Sequence, residues 1–69
     1  MEKYRVLIEW SDEDGAYVAR APELPGCSAW GNTYEQAAAE IQAAMGLWLR
    51  TARELGRSIP EPVTAASAA

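Results

Sequence analysis

Apolar and polar residues alternate at the start of the chain. From Lys3 to Trp10 the even positions Tyr4, Val6, Ile8 and Trp10 are apolar, Lys3, Arg5 and Glu9 interleave, and Leu7 is the apolar exception on the polar side. A period of two predicts a half-buried β-strand. Ser11-Asp12-Glu13-Asp14-Gly15 follows, and Asp14-Gly15 is the dipeptide of a two-residue hairpin turn, because both positions tolerate positive φ. Such a turn sets Glu13 opposite Ala16, Asp12 opposite Tyr17, Trp10 opposite Ala19 and Glu9 opposite Arg20. Trp10 then packs over the small Ala19 on the buried face, while Glu9 and Arg20 form a cross-strand ion pair on the other. A three-residue loop with a bulge would invert this parity.

Pro22-Glu23-Leu24-Pro25-Gly26 cannot continue a central strand, because proline has no ladder donor and Pro25-Gly26 favours a tight turn. Cys27-Ser28-Ala29-Trp30 reads as a short third strand ended by Gly31-Asn32. Thr33-Tyr34-Glu35-Gln36 is a capping box: the Thr33 hydroxyl accepts from the Gln36 amide and the Gln36 side chain reaches back. In the helix it starts, Ala37, Ile41, Ala44, Met45, Trp48, Leu49, Ala52 and Leu55 fall on one stripe that faces the sheet, with Trp48 as the surest core residue. Glu35 and Glu40 precede Arg50, Arg53 and Arg57, as the helix dipole prefers. Gly56 is a natural C-cap, and Gly46 in mid-helix predicts close approach to another backbone. Ile59-Pro60-Glu61-Pro62 forces an extended exit. The pattern therefore predicts an α+β domain over residues 1–62, a three-stranded antiparallel sheet packed by one long α-helix (βββα), followed by a flexible Ala/Ser-rich tail over 63–69.

A chain of 69 residues holds one domain whose single core must offset a high ordering entropy, so self-association into a dimer or higher homo-oligomer is expected. Cys27 is the only cysteine, which excludes an intrachain disulfide and a multi-cysteine metal site and fits a reducing cytoplasm. The N-terminus lacks the apolar run of a signal peptide, and no stretch approaches a membrane span. With six basic and ten acidic residues the formal charge is -4, so nucleic acid phosphates are repelled and a basic protein is the easier partner.

Several blocks, in order, resemble the HicB antitoxin family: Asp14-Gly15-Ala16-Tyr17-Val18-Ala19, Pro22-Glu23-Leu24-Pro25-Gly26-Cys27, Ala29-Trp30-Gly31-Asn32-Thr33, Glu35-Gln36-Ala37, Glu40-Ile41, Trp48-Leu49 and Ile59-Pro60-Glu61-Pro62. The resemblance spans residues 3 to 62. It implies a partial ribonuclease H-like fold and the role of antitoxin to HicA, a small basic RNA-cleaving toxin. Longer members continue into a DNA-binding domain. This sequence stops seven residues after Pro62, so direct DNA binding is not carried over to it.

Catalysis is the weaker expectation. A ribonuclease H-like nuclease needs several carboxylates around two metal ions. Glu9 and Glu40 are the only plausible pair, Glu9 points away from the helix, and there is no histidine. Asp12-Glu13-Asp14-Gly15 lacks the ligand spacing of a calcium loop. Cys27 has no histidine to act as its base and reads as a small buried residue. Trp10, Trp30 and Trp48 all read as members of apolar faces, with Trp30 the one best placed to be partly exposed to a partner. No catalytic residue, metal or cofactor is assigned. A sheet with one helix leaves its second face and both edges uncovered, and that face is expected to carry Arg5, Leu7, Glu9, Val18 and Arg20. Leu7, Val18 and Trp30 are the expected partner-binding anchors, with Arg5 and Arg20 orienting the contact. The competing expectation is a stand-alone homo-oligomer that binds a small ligand or RNA, and a degenerate nuclease comes third.

Overall fold

Small residues at the centre of a sheet set how near a helix can come. The computed structural model describes residues 3–65, in which β1 (Leu7–Ser11), β2 (Ala16–Arg20) and β3 (Ser28–Gly31) precede α1 (Tyr34–Glu54). The strands form one antiparallel sheet in the order β1-β2-β3. α1 covers one face, chiefly over β3 and then β2. This is the βββα arrangement expected from the hydrophobic pattern. The last four residues of the expected tail, 66–69, lie outside the described residues.

The first hairpin differs from its expected form. Ser11 stands opposite Ala16, Trp10 opposite Tyr17, Glu9 opposite Val18, Ile8 opposite Ala19 and Leu7 opposite Arg20. Residues 12–15 are all loop, and of them only Gly15 has positive φ, at 62°. A two-residue type I′ turn would need positive φ at Asp14 as well. Ser11 prevents this: its hydroxyl accepts from the Asp14 N–H at 3.2 Å and donates to the Asp14 carboxylate at 3.0 Å. The Gly15 N–H closes the loop on the Ser11 carbonyl at 2.9 Å.

The register has moved by two places, and a shift of two keeps every residue on its expected face. What changes is the partner. Ile8 replaces Trp10 over Ala19, and Trp10 slides to the sheet's end, where it is 53% exposed and meets Tyr17 edge-on with ring centroids 5.2 Å apart. The Glu9–Arg20 ion pair forms at 2.6 Å, but diagonally rather than straight across. β1 also begins at Leu7 instead of Lys3, because continuing the register sets Arg5 against Pro22, which has no N–H to offer.

On the covered face, Ala19 and Ala29 are buried against a helix stripe of Ala37, Ile41, Met45 and Leu49. The helix begins where expected. The Thr33 hydroxyl accepts from the Gln36 N–H at 3.0 Å, and the Gln36 side chain reaches back one residue further than the box requires, to the Asn32 N–H. It ends in a Schellman motif, with Gly56 at φ 69°, the Arg57 N–H on the Ala52 carbonyl at 2.8 Å and the Gly56 N–H on the Arg53 carbonyl at 3.1 Å.

Two expectations about the helix are corrected. Gly46 touches nothing: a Cβ there would meet no atom within 4 Å. The close approach is at Gly31, where a Cβ would stand 2.4 Å from the Ala37 backbone nitrogen. Trp48 is only half-buried, because it lies beside the Pro25-Gly26 turn rather than over the sheet, and its indole N–H donates to the Pro25 carbonyl at 2.9 Å. Leu55, the last residue of the expected stripe, is 61% exposed.

The loop between β2 and β3 folds on itself through Ala21 N–H to Cys27 O, Leu24 N–H to Ala21 O and Cys27 N–H to Leu24 O, which drives Leu24 fully into the core. Beside it the Glu23 side chain, 5% exposed, ties three segments together. One carboxylate oxygen accepts from the Arg5 N–H at 3.4 Å, the Arg5 Nε at 3.3 Å and the Val63 N–H at 2.9 Å. The Tyr4 hydroxyl donates to the Pro60 carbonyl. The segment after α1 is thereby strapped to the start of the chain. The Val63 hydrogen bond holds the Glu23 carboxyl below its ordinary value; burial works the other way, and the Arg5 N–H and guanidinium add to the lowering.

Gly31→Ala should destabilise the domain by about 1–3 kcal/mol or more, since the clash is with backbone that cannot rotate away. Gly46→Ala, in open space on a helix, should instead stabilise it by about 1 kcal/mol, raising the melting temperature by roughly 4–8 °C. Thermal unfolding of the two variants checks both signs.

A carboxyl whose folded value is depressed adds stability that is complete above its unfolded value, near 4.5, and is lost as pH falls through the lower folded value. Glu23→Gln removes this linkage. Urea midpoints taken on either side of pH 4.5 should therefore fall less on acidification in Glu23→Gln than in the parent. Equal falls would show that another group carries the acid sensitivity.

Candidate partner-binding face

The face of the sheet turned away from α1 is built by strand parity. Across it, Glu9, Val18 and Trp30 form one row, and Leu7, Arg20 and Ser28 form the next. Leu7 is 45% exposed and Trp30 is 52% exposed, with Val18 half-buried between the strands that carry them. Three of the expected contact residues thus share a face that no described element covers: Val18 stands beside Trp30, and Leu7 lies across the Glu9–Arg20 ion pair from them. Trp30, expected with the apolar faces but partly exposed, lies on this outer surface because it is one residue out of phase with the buried Ala29 and Gly31.

Charge runs across this face. Arg20 is held by Glu9, and the Trp30 indole N–H lies 3.4 Å from a carboxylate oxygen of Asp14, which leans the ring toward the hairpin. Glu9, Trp10, Ser11, Glu13, Asp14, Val18 and Arg20 line an open hollow of about 350 Å³ on this side. Arg5 sits just before β1 with its guanidinium turned to Glu23 and 57% of its side chain still exposed, so the structure places it at the margin of the face. The face is thus mixed, with the apolar Val18 and Trp30 side by side, Leu7 beyond an ion pair, and carboxylates at the hairpin end.

Sequence reasoning missed two features. Glu23 gave no signal beyond its place between two prolines, and its burial follows from the loop's fold. The other is a row of rings: Tyr17 lies between Trp10 and Tyr34, with centroids 5.2 and 4.5 Å apart, and Trp10 and Tyr34 are each more than half exposed. Tyr34 directly follows the N-cap Thr33, a position that fixes it at the sheet's hairpin end.

The groups considered for catalysis are separated. Glu9 projects on the uncovered face and is paired with Arg20, whereas Glu40 is exposed on α1. Among the described residues no group of three or more His, Cys, Asp or Glu side chains converges to hold a metal. Cys27 is buried, which pushes its thiol up from the ordinary value. No helix of the described residues is long and apolar enough to cross a membrane.

Known proteins are similar to this chain in sequence. The chain is 38% identical over 58 residues to a UPF0150 protein of Thermoplasma acidophilum, covering 84% of this chain and 83% of that one. A UPF0150 protein of Synechocystis is 38% identical over 54 residues, covering 78% and 74%, and one of Archaeoglobus fulgidus is 32% identical over 53 residues, covering 77% and 75%. The family model described as the HicB-like antitoxin of the bacterial toxin-antitoxin system matches residues 4–69, from the tyrosine that anchors the strap through the sheet, the helix and the extended exit. On that match, the chain belongs to the HicB-like antitoxin family.

Proposed function

We propose that this chain acts as an antitoxin by binding a small, basic, HicA-type RNA-cleaving toxin on the uncovered sheet face and blocking its catalytic or RNA-contacting surface. The observation that carries the reading is the presence of Leu7, Val18 and Trp30 on one face of the sheet that no described element covers, with Leu7 and Trp30 exposed. Exposed apolar residues gathered on one surface mark interaction sites, and a large aromatic such as Trp30 is the usual anchor of an interface. Arg20 and Arg5 orient the contact from the margin, where ion pairs contribute little to affinity.

Charge supports the same partner. A formal charge of -4 opposes RNA and favours a cationic protein, because complementary potentials speed encounter. The role is one of binding in the cytoplasm, with no chemistry performed by the chain itself.

An RNA cleavage assay with the toxin tests this. The parent chain should abolish cleavage. Val18→Asp and Trp30→Ala, each first shown to keep native circular dichroism, should weaken inhibition by at least about tenfold, as loss of an interface anchor does. Raising salt should slow association more than it speeds dissociation. Full inhibition by both folded variants would move the interface elsewhere, and failure of the parent to inhibit would reject the antitoxin role.

A further inference from the structure

We propose that β1 pairs with β1 of a second copy of this chain, antiparallel about a two-fold axis through Leu7, to give one continuous six-stranded sheet. The inference does not rest on a toxin.

β1 is an edge strand of the sheet. Its backbone groups can be assigned to sides. The Arg5 N–H turns to Glu23 in the loop that ends β2, and the Ser11 carbonyl turns inward to the Gly15 N–H. Odd residues of this strand therefore face β2, and the N–H and C=O groups of Val6, Ile8 and Trp10 face the open edge. Natural edges are blunted by proline, lysine or a bulge. Arg5 to Ser11 contains neither residue, and the register through Leu7–Ser11 is unbroken.

The other edge is closed at one end. β3 spans only Ser28–Gly31, and the next N–H, that of Asn32, is taken by the Gln36 side chain at the start of α1.

Two further observations select a second copy as the occupant. Because α1 sits over β3 and barely reaches β1, the helix-side strip of the edge is left uncovered: Val6 is 38% exposed, Trp10 is 53% exposed, and Ile8 is half-buried. On its outer face the edge is also self-complementary in charge. Antiparallel pairing centred on Leu7 places Arg5 opposite Glu9 of the second copy, twice by symmetry, and Val6 opposite Ile8, each such pair exchanging both its backbone bonds. A centre at Glu9 would oppose two carboxylates, and a centre at Ile8 would set Leu7 against Glu9. On the outer face the two Leu7 side chains then meet and join the two uncovered faces into one.

In this register the Leu7 pair is not hydrogen-bonded, with Cα atoms about 4.5 Å apart, a separation that a disulfide spans. The test uses the full chain. Sedimentation should give a dimer at micromolar and higher concentrations. In a Cys27→Ala background, Leu7→Cys should convert to covalent dimer on mild oxidation at least about tenfold faster than Trp30→Cys, an equally exposed site on the opposite strand, because pairing raises the local thiol concentration to the millimolar range. A monomer throughout the range would overturn the proposal, as would cross-linking of Trp30→Cys at a rate equal to or above that of Leu7→Cys.

Discussion

The contact on which this fold depends is the one between Gly31 and the first turn of α1. A Cβ at Gly31 would stand 2.4 Å from the Ala37 nitrogen, so only glycine lets the end of β3 run beneath the helix backbone. Ala29 and Ala19 continue the low surface, and Ile41, Met45 and Leu49 settle on it. Thr33 starts the helix two residues after Gly31, so strand end, cap and close approach fall within one short stretch. The helix is committed to the β3 side of the sheet as a result. The polarity of the remaining surfaces follows from that offset: β1 is left with an open edge and a half-covered apolar strip, and at the hairpin end Trp10 and Tyr17 are joined by Tyr34, the first residue of α1.

The other end of the domain is closed by polar contacts. The Pro22–Gly26 loop buries Leu24 and holds the Glu23 carboxylate where it can gather donors from Arg5 and Val63. A carboxylate so enclosed is stable only while its donors stay in place. It therefore couples the first described residues to the segment beyond Pro62, and Tyr4 adds a second tie at Pro60. A small chain gains from such closure, since one core of this size offsets little more than the entropy of ordering it.

Among the described residues, α1 covers one face of the sheet and leaves the other bare. The bare face carries Val18 beside Trp30, with Leu7 across the Glu9–Arg20 ion pair on the edge strand. Membership of an antitoxin family implies a toxin partner in general terms, and the proposed binding on this face accords with the acid surplus of the chain. Edge pairing through β1 would leave this face free and double its extent.

Element order, strand parity, the helix cap at Thr33, the glycine at the helix end and the common face of Leu7 and Val18 were all determined by the sequence, because each depends on residues near one another in the chain or on a period of two or 3.6. Parity was robust for a physical reason: a slip of two along a strand changes every partner and no face. Tertiary structure alone decided the rest. The Ser11 hydroxyl chose a four-residue loop over the Asp14-Gly15 turn and so moved Trp10 out of the core. Helix position relative to the sheet decided that Gly31, not Gly46, carries the close approach and that Trp48 lies at the margin. The burial of Glu23 needed a loop and both ends of the domain to meet, a juxtaposition of residues up to 58 positions apart that no local pattern encodes.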